Sequence, residues 1–534
     1  MSKPISQPIT AQSLGAIIKS ARDIMRKDKG LNGDLDRLPM LTWIMFLKFL
    51  DDLEIQREEE AKLAGKKFKP AIEPPYRWRD WASQPDGITG DELIAFINND
   101  ECALPHGPLN KSTRGPGLFR YLRLLTSSNG DERREVVATV FKGVQNRMVS
   151  GYLLRDVVNK LNGIHFTASD ELHTLGALYE SMLREMRDAA GDSGEFYTPR
   201  AVVRLMVAVT NPRLGETVLD PASGTGGFLV EAYNHLAKQV KTVADRRVLQ
   251  DKSLFGCEPK SLPYLLCQMN LLLHGLDAPQ IDPGNALRFK LTDIGERDRV
   301  DVILTNPPFG GEEEKGIQGN FPEDKQTAET ALLFLQLIMR KLRRGPSNVA
   351  STGTRGETPR EPAAGMAAPL CARAAVVVPN GTLFGDGVCA RIKEELLKEF
   401  NLHTIVRLPN GVFAPYTGIP TNVLFFDRSG PTREVWYYEQ PLPEGRKNYT
   451  KTAPIQFEDF AALVTWWDHR KANDQAWKVP VAELLANGCN LDRKNPSAKD
   501  DITHLPPEQL AADILKKERR IAEIMGNILE LLAK

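Results

Sequence analysis

The tetrapeptide Asn306-Pro307-Pro308-Phe309 contains residue types that can act on an exocyclic amino group. Tandem prolines fix φ and remove two backbone N–H donors, so the bend presents only acceptors. The side-chain oxygen of Asn306 and the carbonyl oxygen of Pro307 can bind both hydrogens of one NH₂ group, which leaves the nitrogen lone pair exposed and disperses the charge that grows during attack. Phe309 offers a face on which a planar base can stack. The structural alternative is a Pro-Pro turn that only ends a buried strand.

A glycine-rich turn supplies the second group of candidate residues. It reads Asp220-Pro221-Ala222-Ser223-Gly224-Thr225-Gly226. Glycines in such a turn let a ligand approach the backbone and permit positive φ. The turn is not a dinucleotide fingerprint, because Leu229 stands where that pattern needs a small residue, and it lacks the lysine of a phosphate loop. A doubly wound fold can also carry such a turn for structural reasons alone.

Glu258 is the third candidate, because it follows an apolar run at Leu254–Cys257. A carboxylate at the end of a strand can accept both hydrogen bonds from a ribose diol. Glu258 lies 38 positions after Asp220, a longer spacing than the roughly 20 of a compact nucleotide-binding unit. The charged stretch 238–252 accounts for the extra length.

Short apolar runs that alternate with helical stretches must position these residues. The runs are Thr217–Leu219, Leu254–Cys257, Val300–Leu304, Ala374–Val378, Thr404–Leu408 and Thr421–Phe426. This alternation predicts a parallel, doubly wound α/β sheet, in which ligands bind at the carboxyl ends of the strands. We expect the sheet to end near Asp427.

Helical patterns occupy both ends of the chain. In the first 165 residues they cover 13–27, 37–54, 92–98, 117–126 and 132–160. A last helix covers 506–534, with apolar residues at a heptad-like spacing. These residues are Leu510, Ile514, Ile521, Met525, Ile528 and Leu532. Such a seam is typical of an interaction helix, although a helix packed on its own domain would show it as well.

Residues 345–370 form a low-complexity insertion rich in Gly, Pro, Ser, Thr and Ala. This composition predicts a mobile segment between a helix and the next strand. Nearby arginines would allow it to touch phosphate, and a solvated surface loop is the alternative.

The composition of the 534-residue chain limits its partners. Its 69 basic residues balance 69 acidic ones, so a nucleic acid would need a local basic surface or a second subunit. The 6 cysteines contain no C-x-x-C pair and the 8 histidines are scattered, which predicts neither disulfides nor a bound metal. No apolar run reaches the roughly 18 residues that span a bilayer, and we expect a cytoplasmic protein without a membrane partner.

In combination, these motifs resemble those of the amino-group methyltransferases that use S-adenosylmethionine. They are most similar to those of the modification subunit of type I restriction–modification systems, a DNA adenine-N6 methyltransferase. Further stretches that match that subunit are Ile44–Leu50, Gly194–Arg200, Cys267–Gly275, Ala375–Gly381 and Ile405–Gly411. The resemblance covers about residues 14–470.

The resemblance implies an α/β fold with a Rossmann-like S-adenosylmethionine-dependent methyltransferase sheet, an N-terminal all-helical domain and a C-terminal helix. The helical domain would span 1–165. The methyltransferase domain would span 166–430, with the insertion at 345–370, and the C-terminal region would span 431–534.

The resemblance also assigns roles to residues, with S-adenosylmethionine as the cofactor. The methionine end would be lined by Glu195, Phe196, Tyr197, Thr198 and Pro199. The amino-acid part would be held by the turn residues Asp220, Ala222, Ser223, Gly224, Thr225 and Gly226. Glu258 would bind the ribose, and Asn285, where the family usually has Asp, would offer an acceptor to the adenine amino group. The catalytic residues, which would grip an adenine that has left the helix stack, would be Asn306, Pro307, Pro308 and Phe309.

The function implied by the resemblance is site-specific methylation of adenine N6 in duplex DNA. A separate specificity subunit would read the sequence, two modification subunits would join it, and an ATP-dependent restriction subunit would be added for cleavage. A stand-alone adenine methyltransferase and a non-catalytic S-adenosylmethionine-binding scaffold are alternatives. A protein-glutamine or RNA-guanine methyltransferase would share the Asn-Pro-Pro-aromatic site, but these enzymes generally lack a long helical front.

Overall fold

The computed structural model describes residues 11–105, 114–126, 132–164, 198–345, 371–414, 417–450, 452–497 and 507–532. The cofactor candidates Glu195, Phe196 and Tyr197 lie outside these ranges, and so does the insertion from residue 346 to residue 370. None of the helices within these ranges is long and apolar enough to cross a membrane.

The N-terminal part of the chain is helical, as its apolar periodicity predicts. Its helices are α1 (Ala11–Met25), α2 (Asp34–Leu63), α3 (Trp78–Trp81), α4 (Gly90–Asn98), α5 (Leu118–Arg123), α6 (Glu132–Lys142) and α7 (Gly151–Leu161). A short antiparallel hairpin, β1 (Cys102–Ala103) and β2 (Arg114–Gly115), lies among them and was not expected. Trp43, Phe46 and Phe49 of α2 are buried in the core of this domain.

The prediction of a single helix over 132–160 is wrong, because α6 ends at Lys142 and α7 begins at Gly151. Ser150 caps α7, since its side chain accepts a hydrogen bond from the backbone N–H of Leu153 at 3.3 Å. Gly143 follows α6 directly, and glycine is a poor helix former. A glycine and a serine cap therefore divide this stretch into two helices.

A nine-stranded sheet lies at the centre of the rest of the described chain. Its strands are β3 (Val218–Asp220), β4 (Leu254–Cys257), β5 (Gln280–Asp282), β6 (Val302–Thr305), β7 (Arg373–Pro379), β8 (Asn401–Arg407), β9 (Thr421–Asp427), β10 (Glu434–Glu439) and β11 (Ala476–Pro480). Their spatial order is β11-β10-β8-β9-β7-β6-β3-β4-β5. The accompanying helices are α8 (Arg200–Thr210), α9 (Gly227–Ala237), α10 (Val243–Lys252), α11 (Ser261–Leu273), α12 (Lys315–Gln318), α13 (Thr330–Lys341), α14 (Asn380–Phe384), α15 (Val388–Glu399), α16 (Ala461–Asp468), α17 (Val481–Ala486) and α18 (Pro507–Leu532).

The expected parallel arrangement holds for the five strands from β5 to β7 in the spatial order. It is wrong for β9, which is antiparallel to both β7 and β8. The described residues of the connection 408–420 contain no helix, so the chain returns from β8 as a hairpin. A parallel neighbour would need a longer, usually helical, crossover.

The sheet also continues beyond Asp427, contrary to the expectation. β10 pairs with β8 in parallel, and β11 pairs with β10 in antiparallel orientation. The domain boundaries at 165 and 430 stay predictions, but the sheet itself crosses residue 430.

Alternate residues of the strands face two layers of helices. On β6, Val302 and Leu304 belong to the apolar cluster that contains α8, α9 and α11, whereas Ile303 belongs to the cluster of α13 and α15. The first cluster is continuous with the helical domain, because Trp43 and Phe141 are part of it. A charged pair between Arg57 of α2 and Asp277, after α11, joins the same two regions at the surface.

Candidate active site

Three adjacent strands deliver the main candidate residues to one edge of the sheet. β6, β3 and β4 run parallel, with Leu219 opposite Ile303 and Asp220 opposite Gly256. Asp220 ends β3, Glu258 follows β4 and Asn306 follows β6. Their exposed fractions are only 1%, 5% and 8%, respectively. The three polar side chains therefore lie together at the carboxyl ends of the strands, where doubly wound sheets bind ligands.

Glu258 holds the glycine-rich turn through backbone donors. Its Oε2 accepts a hydrogen bond from the N–H of Gly224 at 3.0 Å, and its Oε1 accepts one from the N–H of Lys260 at 2.9 Å. Gly224 and Gly226 have φ values of 52° and 81°, which favour glycine. A Cβ on Gly226 would also lie 2.9 Å from Sγ of Cys267 on α11. A carboxylate can accept more than two hydrogen bonds, so these two contacts are compatible with a ribose at Glu258.

Two other residues of the turn form hydrogen bonds with neighbouring segments of the protein. The backbone N–H and the hydroxyl of Ser223 both donate to the carbonyl of Cys257, each at 3.0 Å. The carbonyl of Thr225 accepts from the side-chain amide of Asn270 at 2.9 Å. These contacts shape the turn, whereas Ala222 lines the adjoining cleft.

Asp220 connects the turn to β6. Its Oδ1 accepts hydrogen bonds from the hydroxyl of Thr305 at 2.7 Å and from the N–H of Ala222 at 3.2 Å. Its Oδ2 is buried and has no partner among the described residues. Burial raises the pKa of Asp220 to about 7, and the nearby charge of Glu258 adds to this shift, while the two hydrogen bonds oppose it. Protonated and ionised forms are therefore close in free energy near neutral pH.

Asn306 is oriented by a residue that precedes α8. Its Nδ2 donates a hydrogen bond to the hydroxyl oxygen of Thr198 at 3.0 Å. Its Oδ1 is buried and has no partner within the described ranges. The structure thus places Thr198 beside the catalytic candidate. Pro199, the next residue, accepts backbone hydrogen bonds at the start of α8.

An aromatic pair stands next to the Asn-Pro-Pro bend. Phe309 is half-buried and meets Phe413 edge to face, with ring centroids 5.7 Å apart. Such arrangements are favourable between aromatic rings. Pro307 is buried and Pro308 is partly exposed, where it lines the cleft.

A cleft of about 280 Å³ opens beside the turn and the bend. Its walls include Ala222, Glu258, Asn285, Pro308 and Glu313. The side-chain oxygen of Asn285 accepts a hydrogen bond from the N–H of Leu287 at 2.9 Å, so it caps a short 3₁₀ helix. The cleft therefore brings the ribose candidate and the adenine candidate to one cavity.

Sequence reasoning missed three residues of this region. Thr305 lies within the strand before Asn306, and its hydroxyl gave no separate signal. Phe413 lies two residues after the stretch that ends at Gly411, so a slightly longer match would have included it. No motif in the sequence includes Glu313, because only the fold brings this residue close to Asn285.

Two family models match the chain. The model of the N-6 DNA methylases matches residues 170–350 and 369–504, and that of the HsdM N-terminal domain matches residues 14–103. The first of these models covers more than half of the chain.

Full-length relatives give a finer assignment. The chain is 46% identical to the methylase subunit of the type I restriction enzyme EcoEI from Escherichia coli, over 97% of this chain and 98% of that subunit. A modification subunit of a putative type I restriction enzyme from Vibrio vulnificus YJ016, known from its crystal structure, is 66% identical to this chain. The two structures match with a TM-score of 0.83, and the match covers 93% of this chain and 100% of that subunit. A chain of a type I R-M system is 39% identical, with a TM-score of 0.71 over 98% and 99% of the two chains.

The chain therefore belongs to the adenine-specific N-6 DNA methylases. Within that class, the chain belongs to the methylase, or modification, subunits of type I restriction enzymes.

Proposed function

We propose that the chain binds S-adenosylmethionine beside the glycine-rich turn and transfers its methyl group to N6 of an adenine held at Asn306. The observation that carries this proposal is the amide of Asn306, whose nitrogen is held by Thr198 and whose buried oxygen has no partner in the described chain. An unpaired buried acceptor costs stability. Its retention indicates a donor that arrives with the substrate.

The groups around the turn fit S-adenosylmethionine, which supplies an electrophilic methyl group on a sulfonium ion. Asp220 has one carboxylate oxygen without a described partner, and an ammonium group is a favourable partner for it. Glu258 would bind the ribose hydroxyls, and the cleft at Asn285 would take the base. Glu195, Phe196 and Tyr197 stay proposed for the methionine end.

The residues of the chain would act by orientation and electrostatics. Asn306 Oδ1 would accept one N–H of the target amino group, and the Pro307 carbonyl would accept the other. Both acceptors interact more strongly with N6 as positive charge grows on it, so they favour the transition state. Neither oxygen has to remove the proton, which the methylated amine loses to solvent. Phe309 and Phe413 would hold the ring of a base that has left the duplex.

The exposed face of α18 supports a protein partner. Ile514, Leu515, Ile521, Ile524 and Met525 are all exposed on this helix. An apolar stripe of this kind is typical of helices that pack against another helix. We infer that α18 docks on a specificity subunit, which would supply the sequence reading and add positive charge to a chain that has no net charge.

The assembly that we propose follows the family. Two modification subunits would bind one specificity subunit on duplex DNA, and an ATP-dependent restriction subunit would join for cleavage. The proposed location is the cytoplasm, together with the DNA substrate.

Transfer of labelled methyl from S-adenosylmethionine to unmethylated duplex DNA tests the proposal. The assay compares the chain alone, the chain with its specificity partner, and the Asn306→Ala and Asn32→Ala variants with that partner. Asn32 is an exposed residue of the helical domain and serves as the matched control. We expect label on adenine only with the partner, with loss in Asn306→Ala and no change in Asn32→Ala.

Two other results would change the assignment. Label with the chain alone would indicate a stand-alone methyltransferase. Cofactor binding without label on DNA would favour the scaffold, or a protein or RNA substrate.

Removal of residues 506–534 tests the docking of α18 separately. We expect the shortened chain to lose copurification with the specificity subunit and to keep cofactor binding. Unchanged copurification would contradict this role of the helix.

A further inference from the structure

A pair of polar side chains lies on the wall of the cofactor cleft. Asn285 follows β5, and Glu313 follows the Asn-Pro-Pro-Phe bend, so the two come from different loops. Both residues line the cleft that also contains Glu258. The Nδ2 atom of Asn285 lies 3.5 Å from Oε2 of Glu313, at the limit of a hydrogen bond.

The amide of Asn285 has one orientation that satisfies both of its neighbours. Its oxygen accepts the N–H of Leu287 at 2.9 Å, and its nitrogen faces the carboxylate of Glu313. A flipped amide would place its NH₂ group against that N–H and its oxygen against that carboxylate, and both contacts would be repulsive. The oxygen of Asn285 is thus directed at the backbone of Leu287, and the group that it turns toward Glu313 is a donor.

The loop that carries Glu313 is fixed by its own hydrogen bonds. The N–H of Glu313 donates to the carbonyl of Ala328 at 3.0 Å, and its carbonyl accepts from the side chain of Gln318 at 2.6 Å. The hydroxyl of Thr330 donates to the carbonyl of Gly311 at 3.2 Å, where a φ of 108° requires glycine. The backbone from which the Glu313 side chain projects is therefore set by the fold, before any ligand binds.

We propose that Glu313, rather than Asn285, accepts the hydrogen bond from the amino group of the cofactor's adenine, while Nδ2 of Asn285 donates to a ring nitrogen of that base. This inference rests on the proposed function, since it needs the cofactor in this cleft. A donor beside an acceptor complements the edge of adenine, which presents the acceptor N1 beside the donor N6. Hypoxanthine presents N1–H beside O6, so its N1–H would meet the Nδ2 donor of Asn285 and its O6 would meet the carboxylate of Glu313, and both contacts would be repulsive.

The pair also favours asparagine over aspartate at position 285. An aspartate at 285 would place a second carboxylate against Glu313, and like charges at this distance repel. Asn285 caps Leu287 without adding charge, and Glu313 supplies the charged acceptor instead.

Calorimetric binding of S-adenosylhomocysteine and of S-inosylhomocysteine to the full-length chain tests the proposal without turnover. We expect Glu313→Ala to bind the adenine compound about 10–100-fold more weakly, because a single lost acceptor for a buried donor has this magnitude. The inosine compound should bind as well as before or better, because the repulsion between its O6 and the carboxylate is removed. Glu314→Ala removes the neighbouring exposed carboxylate and is the matched control. Glu313→Gln keeps the size of the side chain and should reduce the discrimination as well, which gives a second reading if the alanine variant unfolds.

A double variant makes the test specific for the acceptor. Asn285→Asp in the Glu313→Ala background returns a carboxylate to the cleft and should restore binding of the adenine compound to within about 3-fold of the original. Asn285→Asp alone should weaken binding.

Two results would overturn the inference. Equal losses for both compounds would indicate a structural role for Glu313, and unchanged discrimination in Glu313→Ala would indicate no role. Failure of the original chain to bind S-adenosylhomocysteine is a different result, because it would overturn the proposed function itself.

Discussion

The two corners of the proposed active site are built in opposite ways. At the cofactor corner, both oxygens of Glu258 accept backbone hydrogen bonds, and the turn that they hold has little freedom. At the base corner, Asn306 is held through one side-chain contact to Thr198, and its oxygen has no partner within the described ranges. The proposed cofactor corner is thus stabilised by the fold, whereas the proposed base corner keeps an acceptor without a described partner. The proposed function therefore depends on a local loss of stability.

Asp220 belongs to both corners, and we expect it to produce the largest effect. Its pKa is raised to about 7 in the folded chain, from an ordinary value near 3.8. The folded state therefore keeps a proton that the unfolded state loses, so the contribution of Asp220 to stability is full below pH 3.8 and is lost as the pH rises to about 7. The difference in the free energy of unfolding, original chain minus Asp220→Asn, should fall by roughly 4 kcal/mol as the pH rises through this window. Urea unfolding at several pH values measures this difference, and a flat difference would contradict it.

Asn306→Ala should separate catalysis from stability. We expect methyl transfer to fall by about 100–1000-fold, because one transition-state acceptor is lost. The free energy of unfolding should stay constant or rise, since the variant removes an unpaired buried oxygen. Single-turnover rates and urea unfolding on the same samples provide the two values. A large loss of stability would show that the oxygen has a partner in the folded chain.

Thr198→Val should have an intermediate effect. The valine cannot accept the hydrogen bond of Asn306 Nδ2, so the amide loses its fixed orientation. We expect kcat to fall by about 10-fold and binding of S-adenosylhomocysteine to remain within about 2-fold. Thr198→Ser keeps the hydroxyl and should restore kcat. A loss confined to cofactor binding would instead assign Thr198 to the methionine end.

Phe413→Leu should have the smallest effect of the four. Leucine keeps apolar volume but loses the edge-to-face contact with Phe309. We expect the KM for DNA to rise by about 3–10-fold at a nearly unchanged kcat, because such ring pairs contribute about 0.5–1.5 kcal/mol. Steady-state kinetics at saturating cofactor measures both constants. A change in kcat alone would argue against a base-holding role.

The sequence alone was sufficient to identify the candidate residues that lie at the ends of strands. Asp220, Glu258 and Asn306 each end or follow an apolar run, and parallel strands bring such positions together. The antiparallel β9 was not predictable from apolar pattern alone, because pattern gives the faces of a strand but not its direction. β10 and β11 were not predicted, because their residues, such as Glu434–Glu439, lie outside the motifs of the sequence.

The rest of the site depends on contacts between distant segments. The pairing of Thr198 with Asn306 joins positions separated by 108 residues, and that of Asn285 with Glu313 joins positions separated by 28. No periodicity or spacing rule identifies such partners. Resemblance assigned Thr198 to the cofactor, and only the fold places its hydroxyl against the amide of Asn306.

The shared core of the helical domain and the sheet has a consequence for synthesis. Residues of α2 and α6, such as Trp43 and Phe141, join the same apolar cluster as Leu265 of α11. A growing chain makes α2 about 200 residues before α11, which at roughly 5–20 residues per second is a delay of about 10–40 s. During that time the early helices leave the ribosome with one apolar face uncovered. The helical domain should therefore need protection by chaperones as it emerges, even though the finished protein buries this apolar face.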